Sequence, residues 1–201
     1  MPVLGITGGI ATGKSSFTRA LRCVLTAADV FDADACARAL VKSNDAVKQQ
    51  IREKFGESVF DSAGELNRRS LREIVFDDAI QRRSLEAILH PVIRETWTLQ
   101  AAKISAEKRW LFVDIPLLFE TSAAQNFDTV VLVACSELMQ IRRLTAERSL
   151  SVEIAQKMIA AQMPLREKIA RAGHVIWNDG SRLNLEKQAA IFGDYLISRH
   201  G

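Results

Sequence analysis

Residues 8–15 read Gly-Gly-Ile-Ala-Thr-Gly-Lys-Ser and fit the pattern G-x-x-x-x-G-K-[ST]. No other feature narrows the possible fold as far. The pattern fixes Gly8, Gly13, Lys14 and Ser15. Glycines let the main chain turn tightly and aim successive N–H groups at phosphate oxygens. A helix starting there adds the positive end of its dipole. Lys14 supplies a cation that reaches the β- and γ-phosphates, and the Ser15 hydroxyl suits the Mg2+ that accompanies them. Such a loop needs a strand before it and a helix after it. Residues 3–7 form a short apolar run, and residues 14–25 carry Phe17, Ala20, Leu21 and Val24 at helical spacing. Gly8, Gly9, Ile10, Ala11, Thr12, Gly13, Lys14, Ser15 and Ser16 therefore make up the candidate nucleoside triphosphate site.

The rest of the chain alternates in the same way. Residues 30–32, 110–115, 129–135 and 174–177 read as strands. Helical spacing covers 33–42, 46–55, 137–148, 152–162, a segment after Pro164, and 183–198. Strands alternating with helices predict an α/β fold of three layers, a mostly parallel sheet of about five strands with helices on both faces. Residues 35–108 contain no convincing strand. They are expected to be a helical insertion in a single domain, with core 1–34 and 109–201 around it. Asn67 or Ser70 is suited to cap a helix, and Ser70 to Glu73 has capping-box spacing. Residues 79–108 are helical in pattern but contain Pro91, which predicts a break or kink near His90.

Composition sets outer limits. The 201 residues, 48% hydrophobic and 25% charged, suit one well-buried core. A net charge of +3 is too small to imply a nucleic-acid partner by itself. No segment approaches 18 uninterrupted apolar residues, so no membrane span is expected. Cys23, Cys36 and Cys135 share no metal-ligand spacing and read as small buried apolar residues, reduced, as in the cytoplasm.

The loop alone does not separate a switch, a motor, a transporter ATPase and a kinase. Neither an Asn-Lys-x-Asp guanine-reading motif nor a Leu-Ser-Gly-Gly-Gln signature occurs. Residues 142–171 hold seven basic and three acidic residues, a net +4 within a chain of net +3. A basic lid closing over a triphosphate would neutralise charge on a moving phosphoryl group. An acid is also needed at an acceptor hydroxyl. Asp32-Ala-Asp34 follows the second predicted strand, and ligands of open parallel sheets bind at the carboxyl ends of strands. Helix capping is the competing use of either aspartate. Together these features suggest a small-molecule kinase, with a regulatory nucleotide switch as the rival.

With these residues in view, the chain resembles the dephospho-coenzyme A kinase family over residues 3–195. Thr7 to Ser15 matches the family's opening loop, and Asp32 to Asp34 with Arg38 its Asp-Ala-Asp motif. Leu66 to Arg68, Leu89 to Pro91 and Asp114 to Glu120 match Leu-Asn-Arg, Leu-His-Pro and Asp-x-Pro-Leu-Leu-Phe-Glu. Gln162 to Lys168 and Val175 to Asn178 match Gln-Met-Pro-Leu-x-x-Lys and Val-Ile-x-Asn. The resemblance implies transfer of a phosphoryl group from ATP, with Mg2+, to the 3′-hydroxyl of dephospho-coenzyme A. It implies Lys14, Asp34 and Arg143 as catalytic residues, and Asn178 near the adenine. It implies Asp32, Asp34, Arg38, Arg68, His90, Leu117 and Glu120 as acceptor-binding residues. The partners would be these small molecules, and the protein a monomer or weak homo-oligomer. Asp114 ends a strand in the manner of a Walker-B acid.

Three departures stand out. Ala11 replaces a usual glycine, which is tolerated if its φ is negative. Glu147 stands where a second lid arginine is common, with Arg148 next to it. Gly173 replaces a common aspartate.

Overall fold

The computed structural model describes residues 3–200 except 108 and 122, with the main chain alone at 76, 77, 79 and 105. In chain order, β1 (Val3–Gly8), α1 (Lys14–Val24) and β2 (Ala28–Asp32) come first. Four helices follow: α2 (Ala33–Ser43), α3 (Asp45–Phe55), α4 (Arg68–Asp77) and α5 (Ala79–Ala106). Then come β3 (Trp110–Asp114), β4 (Thr129–Ala134), α6 (Glu137–Arg148), α7 (Val152–Ala160), α8 (Leu165–Arg171), β5 (His174–Trp177) and α9 (Arg182–His200).

Two compact units divide the chain, residues 1–31 with 101–201, and residues 32–100. The first holds a five-stranded sheet of order β2-β3-β1-β4-β5, and the pairings of β1 with β3, β1 with β4 and β4 with β5 are parallel. The expected α/β sheet is therefore present. Alternation along the strands sorts side chains to two faces. Leu4, Ile6, Val131 and Val133 pack with Phe17 and Leu21 of α1 and with Ala189, Phe192 and Leu196 of α9. Val130, Leu132 and Ala134 meet Leu118 and Phe119, from the chain after β3, with Met163 and Leu165 alongside. Phe17 and Leu21 lie one turn apart on α1 and are fully buried, each contributing about 1.5–3 kcal/mol of apolar burial. Gly5 lies between these layers, because a Cβ there would come within 2.8 Å of Leu118 Cδ1 and 2.9 Å of Phe127 Cδ2.

The second unit is helical. Val41, Val47, Ile51, Val59 and Leu71 form its core, packed by Leu85, Ile88, Leu89 and Val92 from α5. Asn67 caps α4 by accepting from the N–H groups of Arg69 and Ser70 at 3.2 Å each. Ser70 is thus inside the helix rather than its cap, and Glu73 pairs with Arg69 at 3.1 Å instead of closing a capping box. The expected break at His90 is absent, and α5 runs through Pro91 as one helix of 28 residues. The hydrogen bond that proline forfeits is the one to Ala87. Both residues are exposed, so water meets the freed carbonyl.

All three cysteines are free thiols. Cys135 is buried, and burial pushes its thiol up to about 11. Cys23 departs from expectation, being exposed on the outer side of α1.

Candidate active site

The loop sits where β1 ends in the middle of the sheet. Gly13 is the left-handed N-cap of α1, with φ 89°, and a Cβ on it would collide with Asn178 Nδ2. Glycine is therefore required there twice over. Ala11 has φ 57°, in the left-handed region. The negative φ expected of this alanine is not found. The loop keeps the backbone shape that a glycine would take and carries a methyl group at a cost of about 1–2 kcal/mol.

The loop's carbonyl groups are tied off from outside. Ile10 O accepts from Gln140 Nε2 at 2.7 Å, Ala11 O from Arg143 Nη1 at 3.1 Å, and Thr12 O from Asn178 Nδ2 at 2.8 Å. Gly9 O accepts from the Thr12 hydroxyl at 2.9 Å, and Gln162 Oε1 takes the Ile10 N–H at 3.0 Å. Among the described residues, the N–H groups of Ala11, Gly13, Ser15 and Ser16 donate to no protein group. Unmet main-chain donors at the start of a helix form an anion site.

Arg143 holds the loop as well as carrying charge. Its Nη2 also donates to Asn178 O at 2.8 Å, so one guanidinium joins the loop to the end of β5. Asn178 is buried, and its own N–H reaches Ala134 O at 2.7 Å. Asp179 steadies the start of α6 by accepting from the N–H of its capping residue, Ser136, at 2.7 Å. Burial pushes the Asp179 carboxyl up, but the Ser136 main-chain and hydroxyl donors, Trp177 and Arg143 outweigh it and hold the group below its ordinary value.

Lys14 pairs with Asp114, the buried carboxylate that ends β3 beside β1. Ser15 is exposed in the first turn of α1. Beyond β3, Leu117 is half-buried and Glu120 accepts from Met163 N at 3.1 Å. Glu120 also lies 2.8 Å from Lys168 Nζ, a charge pairing rather than an aligned hydrogen bond, and Lys168 is 2% exposed. Glu147 and Arg148 are both exposed in the last turn of α6. Gly173 has a role of its own. A Cβ there would come 2.5 Å from Thr129 Oγ1, so the common aspartate does not fit beside this threonine unless it turns away.

The helical unit holds the remaining candidates. Asp32 is the N-cap of α2, its Oδ1 accepting from Ala35 N at 2.8 Å. Asp34, two residues on, is exposed, and among the described residues its carboxylate has no hydrogen bond or ion pair. The capping use that competed for both aspartates therefore falls on Asp32. Arg68 Nη2 donates to Arg38 O at 3.1 Å, which brings these two arginines together. His90 is half-buried, and burial lowers its pKa against the opposing charge of Glu86.

Gln140 was not legible as a functional residue, since it stands in an ordinary polar helix pattern. Gln162 belonged to a matched motif but had no assigned task. Among the described residues no cluster of three or more His, Cys, Asp or Glu suits a metal ion. No helix among them is long and apolar enough to cross a membrane.

Comparison with known proteins adds identity to this geometry. The family model described as dephospho-CoA kinase matches residues 2–184. Dephospho-CoA kinases of Staphylococcus epidermidis and Staphylococcus aureus are 37% identical over 185 residues, covering 92% of this chain and 90% and 88% of theirs. A crystal structure from Thermus thermophilus superposes with a TM-score of 0.79 at 33% identity, covering 99% of this chain and 98% of that one. The dephospho-CoA kinase of Campylobacter jejuni shares the fold, with a TM-score of 0.64 at 22% identity, covering 96% of each chain.

Proposed function

The chain belongs to the dephospho-CoA kinase family, and from that premise we propose how its residues divide the work. Its activity is that of an ATP-dependent dephospho-CoA kinase, a phosphotransferase of coenzyme A biosynthesis. The observation that carries the donor-site assignment is the state of the loop's main chain. Carbonyls of residues 9–12 are occupied, and the N–H groups of Ala11, Gly13, Ser15 and Ser16 are not. That polarity suits the phosphates of a triphosphate and repels nothing in them.

Lys14 exchanges Asp114 for the β- and γ-phosphate oxygens when the donor binds, adding positive charge where the transferred group develops negative charge. Mg2+ fits hard oxygen donors such as the Ser15 hydroxyl and the Asp114 carboxylate, which pairs with the adjacent Lys14. When bound, it would neutralise phosphate charge. Asn178 and Arg143 wall the adenine side and steady the loop. Asp34 accepts the proton of the ribose 3′-hydroxyl, since Asp32 is engaged as a cap. Arg38, Arg68 and His90, with Asp32, Leu117 and Glu120, are assigned to the acceptor. The protein acts in the cytoplasm as a monomer or weak homo-oligomer.

A coupled assay of ADP release with ATP, Mg2+ and a panel of acceptor alcohols tests this reading. Turnover with dephospho-coenzyme A is expected, and Lys14→Ala should lower it by about 100-fold or more. Absence of turnover with that acceptor would sink the assignment.

A further inference from the structure

Ile10 is held by both of its main-chain polar atoms, each by a glutamine from far along the chain. We propose that Gln140 and Gln162 are positioning residues for phosphoryl transfer, two braces of opposite polarity that set the shape of the donor loop through Ile10. The inference rests on the kinase reading above.

The polarity of each brace follows from chemistry. A main-chain carbonyl only accepts and an N–H only donates, so Gln140 must present its nitrogen and Gln162 its oxygen. Gly9 makes room for both. A Cβ there would lie 3.0 Å from Gln140 Nε2 and 3.3 Å from Gln162 Oε1. Neither glutamine is loose. Gln140 is 7% exposed in the first turns of α6. Gln162 is followed by Met163, whose N–H is bound to Glu120, and Glu120 pairs in turn with buried Lys168. Residues 162–168 are thus tied to the chain after β3 while they hold the loop.

Both braces act upstream of the free N–H groups at Ala11, Gly13, Ser15 and Ser16. They touch no group that the phosphates use. Their effect on the reaction passes through the loop's shape, and so through the aim of those donors. Donors aimed at developing charge lower the barrier more than they strengthen ground-state binding.

The test exchanges each glutamine for glutamate in the full chain. Gln140→Glu removes the required donor and sets a carboxylate oxygen against the Ile10 carbonyl. Gln162→Glu still offers an oxygen to the Ile10 N–H. The added charge is the same and falls beside the same residue, so the difference isolates polarity. The kcat of Gln140→Glu should fall about tenfold further than that of Gln162→Glu, with a smaller difference in KM for ATP. Equal losses, the reverse order, or losses that follow the unfolding midpoints alone would overturn the proposal. If Gln140→Glu does not fold, Gln140→Lys, which restores a donor, should recover about tenfold over Gln140→Met. No recovery would overturn it equally. If the wild-type chain does not turn over dephospho-coenzyme A, the kinase reading fails, while ADP affinity measured by calorimetry still ranks the two glutamate variants and decides the braces.

Discussion

Ala11→Gly should raise stability, against the usual effect of a new glycine. Ala11 has φ 57°, where its Cβ crowds the neighbouring carbonyl at a cost of about 1–2 kcal/mol. Glycine removes that cost but loses about 0.5–1 kcal/mol more conformational entropy on folding than alanine does. Taking the middle of each range, the net gain is about 0.75 kcal/mol. The bond from Arg143 goes to the main-chain carbonyl of residue 11 and survives the change. For a chain of 201 residues, each kcal/mol moves the melting temperature by about 2–4 °C, so a rise of about 1.5–3 °C is expected. Scanning calorimetry and urea unfolding of the ligand-free protein would measure it. Ser149→Gly is an internal comparison, since among the described residues Ser149 is the other non-glycine at positive φ, 53°, at the end of α6. A fall of about 0.5–1 kcal/mol in Ala11→Gly would refute the reasoning, because that is what glycine does where alanine rests at negative φ.

Asp34→Asn should lower kcat more than it weakens ATP binding, while Asp32→Asn, which keeps a good helix cap, should leave the melting temperature almost unmoved. Steady-state kinetics with the loss at position 32 alone would reverse the assignment. Gly5→Ala should destabilise by about 1–3 kcal/mol, because its Cβ would press on Leu118 and Phe127, and chemical denaturation would show it. Stability should fall as the pH drops below 6.5. Burial lowers the folded-state pKa of His90, and burial with Arg199 lowers that of His174. Between the lowered value and 6.5 the unfolded chain binds protons that the folded chain refuses, so stability rises with pH through that window and is complete above it. Urea titrations from pH 5 to 8 should show this slope, and His174→Gln should flatten it. An unchanged slope would remove His174 from the account.

The sheet and the loop were legible because each leaves a local mark. Apolar runs at 110–115 and 129–135 announce strands covered on both faces, and Gly13-Lys14-Ser15 announces its own helix. Local pattern also misled. Pro91 predicted a break or a kink, and the break is absent because Ala87 and Pro91 lie on an exposed part of the helix, which sequence does not show. Ser70 and Glu73 have the spacing of a capping box, yet Asn67 starts the helix one turn earlier. Which of Asp32 and Asp34 caps α2 is not legible in sequence, because both sit within one turn of the helix start. Gln140 was invisible for a different reason. It touches Ile10 across 130 positions, and no period of helix or strand encodes such a contact.

Those long separations bear on how the protein is made. The donor loop leaves the ribosome well before its braces, which stand at residues 140, 143, 162 and 178. At about 5–20 residues per second, the interval between the first and last of these parts is on the order of ten seconds or more. For much of it the central strand β1 also awaits β3 and β4. A nascent chain cut short of Asn178 carries the whole phosphate-binding motif and still lacks the buried amide that supports Thr12. The motif is made long before the side chains that hold its carbonyls.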